Sequence, residues 1–260
     1  MVKRMMNGKL HDMTLFHHLK ELRYRLTLAC IFFFMASAIC YHFAQQIYTF
    51  LAQPLIQVYS GDASRKLIFT GLTEAFFVHI KIAFFAGFIC SFPITAFQLY
   101  RFIAPGLYKD ERRVFAPYLV VAPILFAAGA ALVYYYVMPL AWTFFISFEQ
   151  LGDESSLPIM LEARISEYLS LVMSLIMGFG LAFQLPLILI FLAQLGVVKG
   201  TWLAKVRRYA IVVIFIVAAF LTPPDVISQI ALAIPLLLLY EISVLICKRI
   251  EKVKEKNARY

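Results

Sequence analysis

Two carboxylates stand out in this sequence because each lies inside a run of basic residues. Glu21 belongs to the segment HLKELRYRL at residues 18–26, and Glu111 belongs to YKDERR at residues 108–113. On a helix, Glu21 would reach Arg25 four residues later and form an internal ion pair. The alternative is that both acids bind a cationic ligand, and arginine fits best because its planar guanidinium binds a carboxylate through two hydrogen bonds. The spacing alone leaves both roles open.

A second group of residues with possible function consists of polar side chains inside long apolar runs. Gln184 lies in the middle of such a run, two residues before Pro186, and Gln229 lies one turn past Asp225. Polar groups at membrane depth need partners and are often functional. These amides predict either hydrogen bonds between helices of this chain or contacts with a partner helix, and the sequence favours neither.

The sequence has no pattern typical of an enzyme or a metal protein. Neither an HExxH nor a GxxxxGK[ST] motif is present, and the five histidines and four cysteines do not show metal-ligand spacing. Ser37, Ser91 and Ser174 lie in apolar runs, where serine hydroxyls usually bond to the backbone of their own helix. We therefore expect no metal, no cofactor and no catalytic activity.

The elements that must position these residues are membrane helices. Of 260 residues, 62% are apolar and 15% are charged, whereas soluble domains are about 45–50% apolar and about 25% charged. This composition excludes a disordered chain, a nucleic-acid-binding domain and a secreted disulfide scaffold. A spanning helix needs about 20 apolar residues, and six candidate segments run over residues 26–44, 75–100, 114–142, 168–195, 209–221 and 226–247. The predicted fold is all-α, with six transmembrane helices in one domain over residues 1–260.

The distribution of basic residues predicts the orientation in the membrane. Residues 1–26, 101–113, 199–208 and 248–259 carry six, four, four and six of the 24 lysines and arginines. With six crossings these regions share one face, which the positive-inside rule makes cytoplasmic. Both termini are therefore predicted in the cytoplasm. The first segment is expected to remain as a span rather than to be cleaved as a signal peptide, because 25 residues precede it.

Two features of the spans predict an irregular bundle. The apolar run at residues 210–221 has 12 residues and rises only about 18 Å as a helix, and the core of the sixth segment at residues 230–240 is similarly short. The two are either a hairpin shielded inside the bundle or short helices that thin the bilayer beside them. Kinks are expected at prolines within the spans, and together they predict a concave bundle. These prolines are Pro93, Pro123, Pro186 and Pro235.

Four stretches of the chain resemble one known family. They are HLKELRYRL at residues 18–26, FTGLTEAFFVHIKIAFFAGFICSFP at 69–93, YRFIAPGLYKDERR at 100–113 and LTPPDVISQ at 221–229. These motifs are similar to those of TatC, the polytopic core of the twin-arginine protein translocase. The third is the most specific, and the resemblance extends from about residue 14 to residue 250, with six matching spans.

The resemblance implies a receptor rather than an enzyme. TatC binds signal peptides with consecutive arginines and passes folded proteins across the bacterial cytoplasmic membrane at the expense of the proton-motive force. Glu21 and Glu111 would hold the arginine pair, Phe102 would help to form the site, and Arg23 would shape it. Implied partners are signal peptides, TatA- and TatB-like single-span proteins, membrane lipid and further copies of the chain, but not nucleic acid.

The resemblance also assigns a partner-facing or membrane-polar role to five further residues. They are Tyr134, Gln184, Thr222, Asp225 and Gln229. Many family members have glutamate where this chain has Gln184, and since an amide takes up no proton, we expect no proton binding at this position. The alternative class is a secondary transporter for a small solute. It would need ionisable groups near the midplane and often paired repeats, whereas this sequence offers amides and no repeat.

Overall fold

The computed structural model describes residues 2–59, 66–103, 117–150, 157, 160–222 and 226–257, with most side chains from Phe16 onward. Within these ranges the chain is helical apart from its connections, and an isolated bridge between Ile68 and Arg164 is the nearest approach to a sheet. The all-α prediction is therefore confirmed. The helices are α1 (Val2–His42), α2 (Ala44–Val58), α3 (Glu74–Ile103), α4 (Tyr118–Leu132), a π-helix (Val133–Val137), α5 (Met138–Ile146), α6 (Ile165–Ala182), α7 (Leu185–Gln194), α8 (Gly200–Lys205), α9 (Arg207–Leu221) and α10 (Val226–Asn257).

Five helical stretches in the described residues are long and apolar enough to cross a membrane. They are Phe16–His42, Glu74–Phe102, Tyr118–Ile146, Ile165–Gln194 and Ser228–Lys254. Each overlaps one of the predicted spans. The remaining predicted span, residues 209–221, is helix α9, whose 15 residues rise only about 22 Å. A sixth crossing, the orientation of the termini and the extent of the domain stay predictions.

Helix α9 lies at the edge of the bundle. Ile214 and Ala218 on one face are buried, whereas Val212 and Val213 are each 56% exposed and Phe220 is 86% exposed. The interpretation of α9 as part of a hairpin shielded inside the bundle is therefore wrong. Its neighbour α10 is not short, because its 32 residues form one continuous helix that rises about 48 Å.

Prolines mark the irregular points of the middle spans. Pro186 has no N–H to donate to the carbonyl of Ala182, so α6 ends at Ala182 and α7 begins at Leu185. The π-helix lies directly before α5, and its wider turn relieves the clash that the ring of Pro139 makes with the preceding turn. The other predicted kink positions lie inside helices: Pro93 in α3, Pro123 in α4 and Pro235 in α10.

The core is built around α6. Leu169, Val172, Leu175 and Phe179 on this helix are fully buried. Close packing is possible because glycine lies where α4 and α6 meet: a Cβ on Gly180 would lie 2.5 Å from a ring carbon of Phe126. Small residues at helix contacts are the usual means of packing membrane helices, since they allow a close approach of the two backbones.

A carboxylate joins the start of α3 to the start of α6. Glu74 Oε2 accepts hydrogen bonds from the backbone N–H groups of Thr70 (2.8 Å) and Gly71 (3.2 Å). Its Oε1 accepts from the hydroxyl (2.6 Å) and the backbone N–H (3.2 Å) of Ser166. One side chain therefore accepts from three backbone N–H groups, two just before α3 and one in the first turn of α6, and links the starts of these two helices.

We expect the Glu74→Ala variant to melt at a lower temperature than the unaltered chain in detergent. The Glu74→Gln variant should lie between the two, because an amide oxygen can still accept from one of the two helices. Size-exclusion chromatography of heated samples measures the melting temperatures. Glu162→Ala, at an exposed acid nearby, is the control, and equal melting of Glu74→Ala and this control would contradict the role given to Glu74.

Candidate functional site

Helices α1 and α3 run antiparallel, and their register places the amino-terminal motif beside the end of α3. Near one end of the pair, His79 Nε2 of α3 lies 3.2 Å from Oε1 of Gln45, which stands in the first turn of α2 directly after α1. Near the other end, the rings of His18 and Phe102 are stacked. Residue numbers therefore rise along α1 as they fall along α3. This register brings residues 18–26 against the last two turns of α3.

Midway along this pair the two backbones nearly touch. A Cβ on Gly87 of α3 would lie 2.2 Å from Ser37 Oγ, 2.7 Å from Ser37 Cα and 2.8 Å from Ser37 N. Only glycine fits at position 87. This contact fixes how α1 and α3 are aligned along their axes and therefore which residues lie opposite each other at their ends.

Glu21 lies at this shared end and forms an ion pair inside the chain. Arg25 Nη2 donates to Glu21 Oε1 at 3.3 Å, and the side chains of Arg25 and Glu21 are 17% and 22% exposed. Arg25 Nη1 also donates to Gln98 Oε1 of α3 at 3.4 Å. The Arg25 guanidinium therefore bridges the two helices. Of the two roles open to Glu21 from spacing, the internal pair is present in this structure.

An aromatic pair lies one turn beyond this ion pair. The rings of His18 and Phe102 are 4.3 Å apart between centroids, at an angle of 23°. His18 is exposed and Phe102 is half-buried. The predicted site residues Glu21 and Phe102 thus lie at the same end of the same helix pair. His18, Arg25 and Gln98 join them, and the structure adds His18 and Gln98 to the predicted set.

The other two predicted site residues are not placed against Glu21. Arg23 is exposed, and since it lies two residues from Glu21 on a helix, its side chain projects from nearly the opposite side. Glu111 lies outside the described residues. The prediction that Glu21 and Glu111 act together therefore stays a prediction.

The polar residues assigned to the membrane interior donate to backbone carbonyls of this chain. Gln184 Nε2 donates to Ala122 O at 2.8 Å, and Gln229 Nε2 donates to Phe215 O at 3.1 Å. The first joins the break between α6 and α7 to α4, and the second joins α10 to α9, so both amides bond within this chain, the first of the two alternatives left open by the sequence. The hydroxyl groups behave in the same way: Thr222 Oγ1 donates to Ala218 O at 2.9 Å and Tyr134 Oη to Phe50 O at 2.8 Å. Asp225 lies outside the described residues.

A cavity of about 430 Å³ lies beside Gln184, between α3, α4, α6 and α7. Its wall is almost entirely apolar, with Phe92 and Leu99 on one side and Leu181 on the other. The amide group of the buried Gln184 already donates to Ala122 O, so the cavity offers an apolar surface. A small polar solute would find few hydrogen-bonding groups on this wall.

The polar side chains of the described residues do not form a metal site, and two of the buried serines bond to their own helices. Groups of three or more potential metal ligands are absent from the described part of the chain. Ser37 Oγ donates to Phe33 O at 2.8 Å, and Ser91 Oγ donates to Phe88 O at 3.1 Å. The expected backbone bonding of these two serines is confirmed.

A helical bundle with an apolar exterior and several helices long enough to cross a membrane is typical of polytopic membrane proteins. Comparison with known sequences identifies the family. Residues 17–235 match the profile of the family described as Sec-independent protein translocase protein (TatC). The chain belongs to the TatC family, and its class is that of membrane protein translocase components.

Two bacterial relatives support this assignment over almost the whole chain. The chain is 51% identical over 243 residues to the Sec-independent protein translocase protein TatC of Rickettsia prowazekii (strain Madrid E), covering 94% of this chain and 96% of that protein. It is 45% identical over 243 residues to the TatC protein of Magnetococcus marinus (strain ATCC BAA-1437 / JCM 17883 / MC-1), covering 94% and 87%.

Two solved structures share the fold. Both are crystal structures of the twin arginine translocase receptor TatC, one of them in DDM. The first superposes with a TM-score of 0.75 at 39% sequence identity, covering 90% of this chain and 99% of that chain. The second superposes with a TM-score of 0.76 at 38% identity, covering 89% and 99%. The resemblance seen in the four sequence motifs is thereby confirmed.

Proposed function

We propose that this chain is the signal-peptide receptor of a twin-arginine translocase. The peptide's consecutive arginines bind at the shared end of α1 and α3, with Glu21 as one carboxylate and Glu111 as the other. Phe102 forms an apolar wall of the site, and Arg23 limits where further cations can lie. The supporting observation is that Glu21 and Phe102, 81 positions apart in the sequence, lie at the same end of one helix pair, where Glu21 pairs with Arg25 and Phe102 stacks on His18.

The rest of the proposed function concerns orientation and partners. The α1–α3 site faces the cytoplasm of a bacterium, with both termini on that side, because the basic segments of the sequence gather there. TatA- and TatB-like single-span proteins pack beside α9 and the α9–α10 turn, near Thr222, Asp225 and Gln229. Tyr134 and Gln184 are further polar positions for such contacts. Export of folded proteins then draws on the proton-motive force.

The exposed apolar face of α9 supports this placement of partners. A face with Val212, Val213 and Phe220 exposed can be covered by lipid or by another apolar helix. Helices in a membrane associate through packing and hydrogen bonds rather than through the hydrophobic effect. Close packing against these exposed side chains of α9 is therefore what would hold a single-span partner at this position.

Replacement of the gene in a bacterium tests the proposed function. In a strain that lacks its own TatC, this chain is expected to restore export of a folded reporter that carries a twin-arginine signal peptide. A reporter whose two arginines are changed to lysines is the control and should remain in the cytoplasm. Immunoblots of the membrane fraction verify that the chain is inserted. A correctly inserted chain that exports neither reporter, in the presence of its own organism's TatA and TatB, would overturn the proposal.

A further inference from the structure

We propose that Arg25 is a resident guanidinium that occupies Glu21 until a signal peptide displaces it. This inference rests on the proposed function, because it concerns how the same site exchanges one arginine for another. In the structure the carboxylate expected to receive the peptide already holds an arginine of its own chain. Binding would then be an exchange, in which the Glu21–Arg25 pair breaks as a pair between Glu21 and the peptide forms.

The geometry of the resident pair is that of a weak partner. A charge-assisted N–H···O bond between arginine and carboxylate is usually about 2.7–2.9 Å long and is frequently doubled. Arg25 makes one contact of 3.3 Å, to one oxygen of Glu21. Its Nε hydrogen is buried and has no acceptor among the described residues. A peptide arginine that approaches with both Nη groups can form a stronger pair than Arg25 does.

Gln98 gives Arg25 a place to remain after displacement. Its Oε1 accepts from Arg25 Nη1 at 3.4 Å, while the contact with Glu21 uses Nη2. Loss of Glu21 therefore leaves the guanidinium bound to α3 and close to the ring of Tyr24, whose centroid lies 5.9 Å from Arg25 Cζ. The displaced charge does not have to be buried without a partner, which would be costly.

The exchange lowers the affinity of every ligand that binds at Glu21, whether it carries one arginine or two. A single guanidinium that replaces Arg25 forms one ion pair and breaks another, so the free energy it gains at Glu21 is reduced by that of the weaker Glu21–Arg25 pair. A ligand with a second arginine adds an interaction that has no resident competitor at Glu21. Arg25 thus lowers the affinity of Glu21 for isolated arginines on the surfaces of other proteins, so that they bind weakly.

Binding of a fluorescent synthetic signal peptide to the full chain in detergent tests this inference. A competitor in the free receptor lowers the affinity of every peptide by the same factor. We therefore expect Arg25→Gln to tighten binding of the twin-arginine peptide by about two- to fivefold, the range for release of a partly exposed i,i+4 pair. A peptide with one arginine changed to lysine should gain by the same factor, so the ratio of the two affinities stays unchanged.

Three controls separate competition from other effects. Lys20→Gln removes one charge from the same exposed part of α1, so it reports the gain that comes from net charge alone, which should be smaller. Arg25→Lys keeps the charge and most of the stem, and it should lie between the unaltered chain and Arg25→Gln. If the Arg25→Gln variant cannot be recovered from membranes, the Arg25→Lys variant replaces it in the comparison with the unaltered chain. The double variant Glu21→Gln/Arg25→Gln should bind no better than Glu21→Gln.

The outcomes distinguish this inference from the proposed function. If Glu21→Gln leaves peptide binding unchanged, the site itself is misplaced and both fail. If Glu21→Gln weakens binding and Arg25→Gln or Arg25→Lys weakens it as well, the site stands but Arg25 supports it instead of competing. A changed ratio between the twin-arginine peptide and its lysine variant would show that Arg25 reads the peptide directly, which also overturns the inference.

Discussion

Replacing Glu21 by glutamine is expected to lower the affinity for a twin-arginine signal peptide by about tenfold or more. Glutamine has nearly the same shape but lacks the charge, so the peptide loses a charge-assisted hydrogen bond that contributes about 1.5–3 kcal/mol, and about 1.4 kcal/mol corresponds to a factor of ten. Crosslinking of a labelled peptide to the chain in native membranes measures the loss. The same change at Glu111 should have an effect of similar size.

The fold should survive this substitution. The Glu21–Arg25 pair is an i,i+4 pair with both side chains partly exposed, and such pairs contribute less than about 1 kcal/mol to stability. Glu162→Gln removes an equal charge at an exposed position close to the start of α3, whereas Glu21 lies against the end of α3, and it serves as the matched control. If the Glu21 and Glu111 variants, alone and combined, crosslink as efficiently as this control, the carboxylates do not hold the arginines.

The second large effect is expected for Gly87→Ala, which should destabilise the protein by about 1–3 kcal/mol, the usual cost of overpacking. The added methyl group would lie 2.2 Å from Ser37 Oγ and within 2.8 Å of two backbone atoms of Ser37. To make room, α1 and α3 must separate, and the contacts of Arg25 with Gln98 and of His18 with Phe102 would loosen together. The melting temperature in detergent and the affinity for the signal peptide should therefore both fall.

A second substitution shows which atoms of Ser37 block the methyl group. Ser37→Ala removes the hydroxyl but leaves Cα and N in place, so the double variant Gly87→Ala/Ser37→Ala should recover only part of the lost stability. Gly71→Ala is the control, because its added Cβ would meet Glu74 Cβ at 3.7 Å, an ordinary contact. Melting of Gly87→Ala at the temperature of this control would mean that α1 and α3 do not approach as closely as described.

The long spans could be predicted from sequence because a continuous apolar run of the right length leaves few alternatives. The prediction at residues 75–100 corresponds to Glu74–Phe102 and that at 168–195 to Ile165–Gln194. The helix that carries the first predicted span, α1, begins at Val2, well before the predicted start of that span at residue 26. The part of α1 before residue 26 carries Lys20, Arg23 and Arg25, which lower the hydropathy although lysine and arginine are good helix formers.

Helix α2 was not predicted because it gives no clear signal. It follows α1 after a single non-helical residue, Phe43, and its 15 residues include four glutamines and Pro54. Its apolar residues are enough to bury one face, with Leu51 and Leu55 in the core, but too few for a spanning run. A short amphipathic helix packed against longer ones depends on tertiary contacts that hydropathy does not report.

The site was predictable in part for a similar reason. The Glu21–Arg25 pair follows from i,i+4 spacing, which is local. The additions of Gln98 and His18 depend on the register between α1 and α3, and residues 43–73 separate those helices in the sequence. The partners of Gln184 and Gln229 are backbone carbonyls of other helices. Because every residue has a backbone carbonyl, the sequence does not indicate which one will accept the hydrogen bond.

Helices α1 and α3 are held to each other at two heights, by Gly87 against Ser37 and by Arg25 with Gln98, and His79 of α3 is held by Gln45 at the start of α2. If one helix slid past the other by one turn, a residue with a side chain would take the place of Gly87, where there is no room for a side chain. Packed interfaces of this kind move as rigid bodies. A conformational change that passes along these two helices would therefore tilt them together as one unit instead of sliding one past the other.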